Sequence, residues 1–337
     1  MILRIITLIL LMLKTMKSTC VGRFVRVLMC VFKKEENTMK KMIMILVALL
    51  SSGIVNANTV DFGAFSLDFT DTLSGASNPA SGYGVVNYDY QMGVHEITQS
   101  QFDAFRSDAG FAANTYTYTN GVNRPANQTS WFEAAQFVNW LNTSQGHQAA
   151  YDITSVSLDV YGYTFNAWGA ADAANGGTNL YRHKDAVFFM PSEDEWVKAA
   201  YWNGTNLQTY ATVGDTVPTQ AQSNYYDGGY AVGSPDNLWD AGSGVAELNG
   251  THDMLGNVWE WMESPYSPTY GDHALRSYRG GAFYSNSYYL GSLTRIDYTS
   301  WFENSSIGFR VASVPEPCTI GLLAIGGVSA IRRRRKL

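Results

Sequence analysis

The sequence is poor in cysteine, with only three such residues among 337, and none lies between residues 58 and 314. Cys20 and Cys30 are near the N-terminus, and Cys318 is near the C-terminus. If both ends are removed during maturation, the remaining chain contains no thiol. That absence excludes disulfide bonds, thiolate metal sites and cysteine nucleophiles from the central region.

Basic side chains are also scarce in this central region, which contains nine Lys and Arg against 26 Asp and Glu, a formal net charge of −17. Such a surface repels nucleic acid and attracts cations, so we expect no nucleic-acid partner. The whole chain is 46% hydrophobic and 14% aromatic, which is enough to bury a large core. No fixed-period repeat or internal linker is visible, and residues 58–314 are predicted to form one domain.

The N-terminal end predicts export. Residues 39–57 begin with basic side chains, continue through an apolar run from Met42 to Leu50, and end in small residues before Ala57. This order is typical of a secretory signal peptide that is cleaved near Ala57. Residues 1–38 form a second apolar and basic stretch, which we interpret as a start codon placed too early or as an extra hydrophobic leader. A membrane anchor is the alternative.

The C-terminal end reads VPEPCTIGLLAIGGVSAIRRRRKL. Its apolar part, Cys318 to Ile331, would extend only about 21 Å as a helix, against a hydrocarbon core of about 30 Å. The basic cluster from Arg332 to Lys336 would stay in the cytoplasm. Residues 315–337 resemble the PEP-CTERM sorting signal of Gram-negative bacteria, which implies a transient membrane helix, an exosortase partner, and delivery to the periplasm, cell surface or extracellular matrix.

Secondary structure is predicted to be mixed. Alternation in VNYDYQMGV, with Tyr88, Tyr90, Met92 and Val94 on one side, predicts a strand. The short apolar pieces AVFFM and IGFRVA also suit strands. Glycines, asparagines and tyrosines dominate the connections between them. The expected class is therefore α+β, rich in loops and poor in regular secondary structure.

Three capping boxes predict where helices begin. The predicted pairs are Thr98 with Gln101, Ser130 with Glu133, and Ser192 with Glu195. The apolar residues that follow each cap are spaced for one buried helical face. They are Phe102 and Phe105 after the first cap, Ala134, Phe137, Val138 and Leu141 after the second, and Trp196, Ala199 and Ala200 after the third.

Six blocks in a fixed order resemble the formylglycine-generating enzyme (sulfatase-modifying factor) family. They are GYGVVNYDYQMGVHEITQSQFDAF, NRPANQTSWFEAAQFVNWLN, FFMPSEDEWVKAAYW, DMLGNVWEW, YRGGAF and SIGFRVA, and they extend from about Tyr83 to Ala312. The resemblance implies a compact, calcium-bearing fold related to C-type lectins. It also implies a copper-bound cysteine pair that uses oxygen to convert a sulfatase cysteine to formylglycine.

The residues for that reaction are missing. In YRGGAFYSNSYYLGS, Ala282 replaces the family's serine, and Ser285 and Leu290 occupy the positions of the two thiolates. Copper(I) requires soft sulfur ligands, so we expect no copper site and no formylglycine formation.

A second branch of the same superfamily uses iron held by histidines. The five histidines of this chain are scattered and form no close pair at helical or strand spacing, so an iron site is not expected either. They are His95, His147, His183, His252 and His273.

The block DMLGNVWEW offers oxygen ligands for calcium. By resemblance, the ligands of one calcium site are the side chains of Asp253 and Glu260 and the carbonyls of Gly256 and Val258. In the alternative, Asp253 caps the turn and Glu260 pairs with a buried arginine such as Arg279 or Arg310, while the tryptophans Trp259 and Trp261 are core. A second calcium site would begin with Asn224 and the carbonyl of Tyr225 and include Asp236, although an Asn-rich turn explains this stretch equally well.

The terminal blocks contain Arg279, Arg295 and Arg310. Because carboxylates outnumber cations in the central region, we expect these arginines to be paired and structural. Binding of a substrate anion is the alternative. By resemblance, the family's substrate groove would be lined by the aromatic residues Tyr284, Tyr288, Tyr289 and Trp301, which could stack on sugar rings or hold a peptide. These rings could instead fill a loop-rich core.

The sequence therefore predicts an exported surface protein without the catalytic cysteine pair, acting as a calcium-stabilised binding module for a peptide or an exopolysaccharide. Two alternatives stay open. One is an oxidoreductase of the same family with a rearranged metal centre, and the other is a structural role in the extracellular matrix without a specific ligand.

Overall fold

The helices begin where the capping boxes place them. The computed structural model describes residues 58–110, 121–155, 163–227, 238–267 and 274–315. Its helices are α1 (Gln99–Asp108), α2 (Trp131–Ser144), α3 (Ala174–Gly177) and α4 (Glu193–Tyr201). Thr98, Ser130 and Ser192 each accept a hydrogen bond from the N3 amide, and the N3 side chain binds back to the cap amide. All three predicted helices are confirmed.

The strands are short. They are β1 (Thr59–Asp61), β2 (Ser66–Asp68), β3 (Gln91–Met92), β4 (Asp152–Ser155), β5 (Tyr163–Asn166), β6 (Asn179–His183), β7 (Phe188–Phe189), β8 (Trp259–Pro265), β9 (Leu275–Arg279), β10 (Ile296–Thr299), β11 (Ile307–Gly308) and β12 (Ala312–Ser313). Eleven of these twelve form four small sheets: one with the order β10-β9-β8-β11, one with the order β3-β12-β7, and the pairs β1-β2 and β4-β5. β6 forms isolated bridges to Ala173 and Ala174.

All three predicted strands are shorter than the patterns suggested, and within AVFFM only Phe188–Phe189 is a strand. Only Gln91–Met92 is a strand within VNYDYQMGV, while Tyr90 and Gly93 form isolated bridges to Leu73 and Phe69. The IGFRVA stretch is divided between β11 and β12, which belong to different sheets. The backbone of this stretch leaves one sheet and enters another within a few residues, so the sequence pattern overestimates the length of its strands.

The core of the unit Val60–Pro315 consists of two groups of buried apolar side chains. One surrounds α2 and includes Trp131, Phe137 and Trp261, and the other surrounds α4 and includes Trp196 and Tyr201. Because β8 contributes Trp261 to the first group and Met262 to the second, this strand packs against both. The segment that leads into β8 is therefore fixed to the centre of the domain.

The described part of the chain confirms the α+β class with few helices and many loops. Its helices are all too short or too polar to span a membrane. The predicted leader and signal peptide, residues 1–57, lie outside the described residues. The predicted sorting signal of residues 315–337 lies outside as well, except for Pro315.

Candidate functional site

The turn before β8 has an unusual backbone. Asp253, Gly256 and Asn257 all have positive φ, at 58°, 89° and 59°. At Gly256 a side chain would overlap the backbone of Asn224, so glycine is required there for space as well as for conformation. Asp253 is buried, and its carboxylate accepts hydrogen bonds from the amides of Gly242 (2.6 Å) and Gly244 (3.1 Å).

Glu260 forms a buried ion pair with Arg310. The Nε and Nη2 atoms of Arg310 donate to the two carboxylate oxygens at 2.7 and 2.6 Å, and both side chains are 0% exposed. The indole of Trp196 also donates to Glu260, at 2.7 Å. The arginine partner foreseen in the alternative interpretation of this motif is therefore present.

Three more buried carboxyl groups lie near this pair. They belong to Glu96, Glu247 and Asp253. Burial raises the pKa of Glu247 to about 8, and burial together with Asp253 and Glu260 holds the pKa of Glu96 well above its usual range. Burial likewise raises the pKa of Asp253. Buried carboxyl groups therefore outnumber the one guanidinium four to one, and burial disfavours the charged form of Glu96, Glu247 and Asp253.

Asn224 and Asn257 link the two predicted calcium sites. Asn224 Nδ2 donates to Asn257 Oδ1 at 3.0 Å, and the amide of Asn257 donates to the carbonyl of Asn224 at 2.7 Å. Asn257 Nδ2 in turn donates to Glu96 at 2.7 Å. The carbonyl of Tyr225 accepts a hydrogen bond from Gln220 at 3.2 Å. Asp236 lies outside the described residues.

The other two arginines of the terminal blocks share one carboxylate. Arg279 Nε and Arg295 Nη2 lie 2.7 Å from Glu193 Oε1 and Oε2. Arg279 also donates to the carbonyls of Ser292 and Thr294. With Arg310 paired to Glu260, all three arginines are paired with carboxylates, as predicted.

The stretch after β9 positions the residues that replace the family's thiolates. Ser285 is buried, its Oγ accepts from the amide of Ala282 at 3.0 Å, and its carbonyl accepts from the amide of Tyr226 at 2.8 Å. Leu290 is 0% exposed and packs in the core around α4. An isobutyl group in a dry core and a hydroxyl within a turn provide no soft ligand for a metal.

An aromatic cavity of about 450 Å³ opens beside Ser285. Trp259 on β8, Tyr278 on β9 and Tyr289 meet there, with Trp259 nearly perpendicular to both tyrosine rings. Tyr284 is 52% exposed, and its hydroxyl accepts from Trp259 Nε1 at 3.2 Å. The described residues that line the cavity are all uncharged: Tyr226, Trp259, Tyr278, Tyr284, Ser285, Asn286, Tyr289 and Ile296.

The four predicted groove residues are not all at this cavity. Tyr284 and Tyr289 line it. Tyr288 is 73% exposed and contacts Tyr289 from outside the lining, with ring centroids 5.4 Å apart. Trp301 packs against Phe132 in the core around α2, at 5.8 Å between ring centroids. Long-range pairing of β8, β9 and β10 adds Trp259, Tyr278 and Ile296, which no local pattern could identify.

Two of the histidines lie together. The rings of His95 and His252 are 5.2 Å apart, although 157 positions separate them in the chain. Burial, followed by the neighbouring His252 and Arg310, lowers the pKa of His95 to about 4. Within the described ranges, no three His, Cys, Asp or Glu side chains are arranged to hold a metal ion. His273 lies outside these ranges.

A second buried charge network was not predicted from the sequence. Arg182 binds Glu195 and Glu263, with donor–acceptor distances of 2.8 to 2.9 Å. Tyr88 and Tyr151 donate to the same two carboxylates. The arginine and its carboxylates come from β6, α4 and β8, so only the tertiary fold reveals the network. The network joins β6, α4 and β8.

Most of this chain is similar in sequence to a known protein family. Residues 31–314 match the family described as "Sulfatase-modifying factor enzyme 1-like domain". The chain is 38% identical over 81 residues to a hercynine oxygenase of Mycolicibacterium thermoresistibile and 30% identical over 137 residues to the inactive C-alpha-formylglycine-generating enzyme 2 of Mus musculus. These alignments include 23% and 37% of this chain but only 17% and 42% of the relatives, so less than half of either relative is covered.

Solved structures extend the similarity to the fold. Treponema denticola variable protein 1 aligns with a TM-score of 0.57 and 19% identity, covering 76% of this chain and 98% of that protein. The protein CarF aligns with a TM-score of 0.54 and 18% identity, covering 74% of this chain and 99% of that one. At this level of identity, the similarity concerns the fold alone.

Proposed function

Because the chain belongs to the sulfatase-modifying factor enzyme 1-like domain family, we propose that it is a ligand-binding member that does not form formylglycine. The proposal rests on one observation: an open aromatic cavity lies beside Ser285, the position at which the resemblance to the family places a thiolate. Leu290, at the other thiolate position, is buried in the core. The cavity thus keeps space for a ligand while the residues that would bind copper are absent.

The ligand is a peptide or an exopolysaccharide that places one group in the cavity. Rings of Tyr and Trp provide large, rigid contact surfaces for either kind of chain. The openness of the site supports this interpretation, because Tyr226 and Tyr284 at its rim are 36% and 52% exposed. A long ligand could therefore extend across the rim while one unit enters the cavity.

Calcium is proposed as a structural partner near the turn before β8. Asp253 and Glu260, with the carbonyls of Gly256 and Val258, form an all-oxygen set of the kind calcium prefers. Asp253 fits this role, because each of its oxygens accepts only one of the amide hydrogen bonds described above. The two oxygens of Glu260 also accept from Arg310 and Trp196, so calcium would have to share or displace those donors. The surplus of buried carboxyl groups around Arg310 also favours an added cation. When bound, calcium would supply positive charge that the chain itself lacks at this point.

Export is proposed from the sequence alone. The signal peptide of residues 39–57 and the sorting signal of residues 315–337 predict delivery to the periplasm, cell surface or extracellular matrix. An exosortase would be the processing partner, and the C-terminal apolar helix would anchor the chain in the membrane before cleavage.

The alternative of an oxidoreductase with a rearranged metal centre has no specific observation in its favour within the described part of the chain. Metal analysis of the purified protein tests it directly. Copper or iron at one equivalent per chain would support this alternative and contradict the binding-module proposal.

The binding proposal is tested with glycan and peptide arrays probed by the full chain. We expect binding that is lost in Tyr284→Ala, which removes a rim ring, and retained in Val213→Ala, a residue 78% exposed and outside the cavity lining. In parallel, incubation with copper, oxygen and a Cys-x-Pro-x-Arg peptide should yield no formylglycine. Conversion of that peptide, or array binding that Tyr284→Ala leaves intact, would contradict the proposal.

A further inference from the structure

Three rings form adjoining walls of the aromatic cavity. The centroid of Trp259 lies 5.2 Å from that of Tyr278 and 5.9 Å from that of Tyr289, at interplanar angles of 76° and 81°. Tyr226 and Tyr284 add two more rings at the rim. Aromatic rings grouped around a partly open cavity attract quaternary ammonium groups through cation–π interactions.

The charge of the domain agrees with a cationic ligand. Residues 58–314 have a formal net charge of −17. Two carboxylates are next to cavity-lining residues in the chain, namely Asp227 after Tyr226 and Asp297 after Ile296. Burial, followed by Tyr284 and Asp297, raises the pKa of Tyr278 to about 12, so its ring remains neutral. This field would attract a cation and repel an anion.

No basic side chain of the domain is available to bind an anion at the cavity. Arg279 and Arg295, which are next to the lining residues Tyr278 and Ile296 in the chain, both donate to Glu193. Of the nine Lys and Arg in residues 58–314, seven lie within 4.0 Å of a carboxylate, and the other two, Lys198 and Arg276, are buried. An acidic polysaccharide or a phosphorylated peptide would therefore find no counter-charge.

Several polar atoms at the cavity are engaged within the protein. Ser285 Oγ and Asn286 Oδ1 accept hydrogen bonds from the amides of Ala282 and Tyr288 at 3.0 and 3.1 Å. Trp259 Nε1 donates to the hydroxyl of Tyr284. A bare sugar ring needs several directed hydrogen bonds, whereas a trimethylammonium group forms none. The lining therefore suits the ammonium group better.

We propose that the aromatic cavity binds a quaternary ammonium group, presented either by a phosphocholine substituent of a polysaccharide or by a trimethylated lysine of a peptide. The inference rests on the proposed binding function and specifies the chemistry of the ligand. Trp259, Tyr278 and Tyr289 would surround the ammonium group, while the rest of the ligand extends past Tyr226 and Tyr284.

The test is a titration of the full chain, purified in a polyoxyethylene detergent, with choline and with its uncharged carbon isostere 3,3-dimethyl-1-butanol. Calorimetry or tryptophan fluorescence reports the affinity. We expect choline to bind about tenfold more tightly than the isostere, because only the charged ligand gains from the ring faces. Phosphocholine and a trimethyl-lysine peptide, titrated next, identify the source of the group by which of them binds more tightly.

Matched variants locate the site. Tyr289→Leu removes a ring from the cavity and should weaken choline binding about tenfold, whereas Tyr289→Phe retains the ring and should bind as the parent does. Tyr288→Leu, at the exposed neighbouring residue, serves as the control. Thermal unfolding of each variant verifies that it is folded, and Tyr289→Phe provides the comparison if Tyr289→Leu is not.

Two outcomes would overturn the inference: equal affinity for choline and its isostere, or choline binding that Tyr289→Leu leaves unchanged in a folded protein. If either occurs while the arrays still detect a ligand that requires Tyr284, only the ammonium inference fails. If the arrays also detect no ligand, the proposed binding function fails with it.

Discussion

Arg310 and Glu260 form a buried pair that joins segments 50 positions apart in the chain. Arg310 lies between β11 and β12 and donates to both oxygens of Glu260 on β8, and neither side chain has any solvent exposure. Arg310 also donates to the carbonyls of Gly93, Val94 and His252. One guanidinium thus fixes β8 to the segment after β3 and to the turn that contains Asp253.

Removing the charge of Glu260 should destabilise the domain strongly. Glu260→Gln would leave Arg310 buried without a counter-ion, which costs about 3–5 kcal/mol of unfolding free energy. Urea unfolding, with a chelator present throughout, measures the effect. Asp172→Asn is the control, because the Asp172–Lys184 pair is exposed on both sides and such pairs contribute about 1 kcal/mol or less. Losses of similar size in the two variants would contradict the prediction.

Arg276 should respond in the opposite way. It is 0% exposed, its Nε and Nη2 atoms have no hydrogen-bond partner in the described structure, and its guanidinium lies 3.8 Å from the ring centroid of Trp131. Burial lowers its pKa to about 10. Arg276→Met would replace an incompletely bonded cation with an apolar side chain of similar length, so we expect a neutral or stabilising effect.

The comparison variant for this prediction is Arg310→Met, which leaves Glu260 buried without its partner. Urea unfolding of both proteins should rank Arg276→Met as the more stable by about 3 kcal/mol or more. The opposite ranking would show that the aromatic surroundings of Arg276 stabilise its charge more than their geometry indicates.

The helices could be predicted from the sequence because their signals are local. In the box at Ser130, the cap and the N3 side chain are three residues apart, and Phe137 and Leu141 mark the buried face. Strand lengths could not be predicted, because short strands such as β11 and β12 are defined by partners far away in the chain. The same is true of Glu193, which Arg279 and Arg295 share across 86 and 102 positions.

The candidate site was foreseen only in part for the same reason. Ser285 and Leu290 were located by motif, since the YRGGAF block continues directly into them. The cavity also needs Trp259 and Tyr278, which come together through the pairing of β8 with β9. Trp301 instead packs against Phe132, because the segment after β10 is bound to α2, where the amide of Trp131 donates to the carbonyl of Ser300 at 3.0 Å.

Calcium should raise the stability of the protein if Asp253 and Glu260 bind it. A ligand that binds only the native state stabilises it, by about 2.7 kcal/mol when its concentration is 100 times the Kd. Chelation should therefore lower the Tm, and added calcium should restore it. An unchanged Tm after chelation would refute the site.

Asp253→Asn provides the matched variant for this measurement. The substitution removes the charge and keeps an oxygen for only one of the two amides, because Gly242 and Gly244 donate to different oxygens of Asp253. The variant is therefore compared with itself with and without calcium, and its Tm response to calcium should shrink or disappear. Asp185→Asn, at a side chain 66% exposed, should retain the full response. A full response in Asp253→Asn would place the ion elsewhere.

His95 should make the stability of the protein depend on pH between about 6.5 and 4. Burial, His252 and Arg310 disfavour its charged form and lower its pKa to about 4, while Asp68 acts weakly in the other direction. The folded protein therefore binds fewer protons than the unfolded chain in this window. His95 contributes its stability above pH 6.5, and this contribution is lost as the pH falls toward 4.

His95→Gln isolates this contribution, because glutamine does not titrate. From pH 7 to pH 4, the unfolding free energy of the parent should fall relative to that of the variant by about 1–2 kcal/mol. This is less than the full pKa shift would give, because solvent screens the partly exposed ring. His95→Asn should give the same profile as His95→Gln, and NMR titration of the His95 ring reports its pKa directly. Parallel pH profiles for parent and variants would contradict the prediction. They would show that folding does not change the pKa of His95 and that burial, His252 and Arg310 do not govern its protonation.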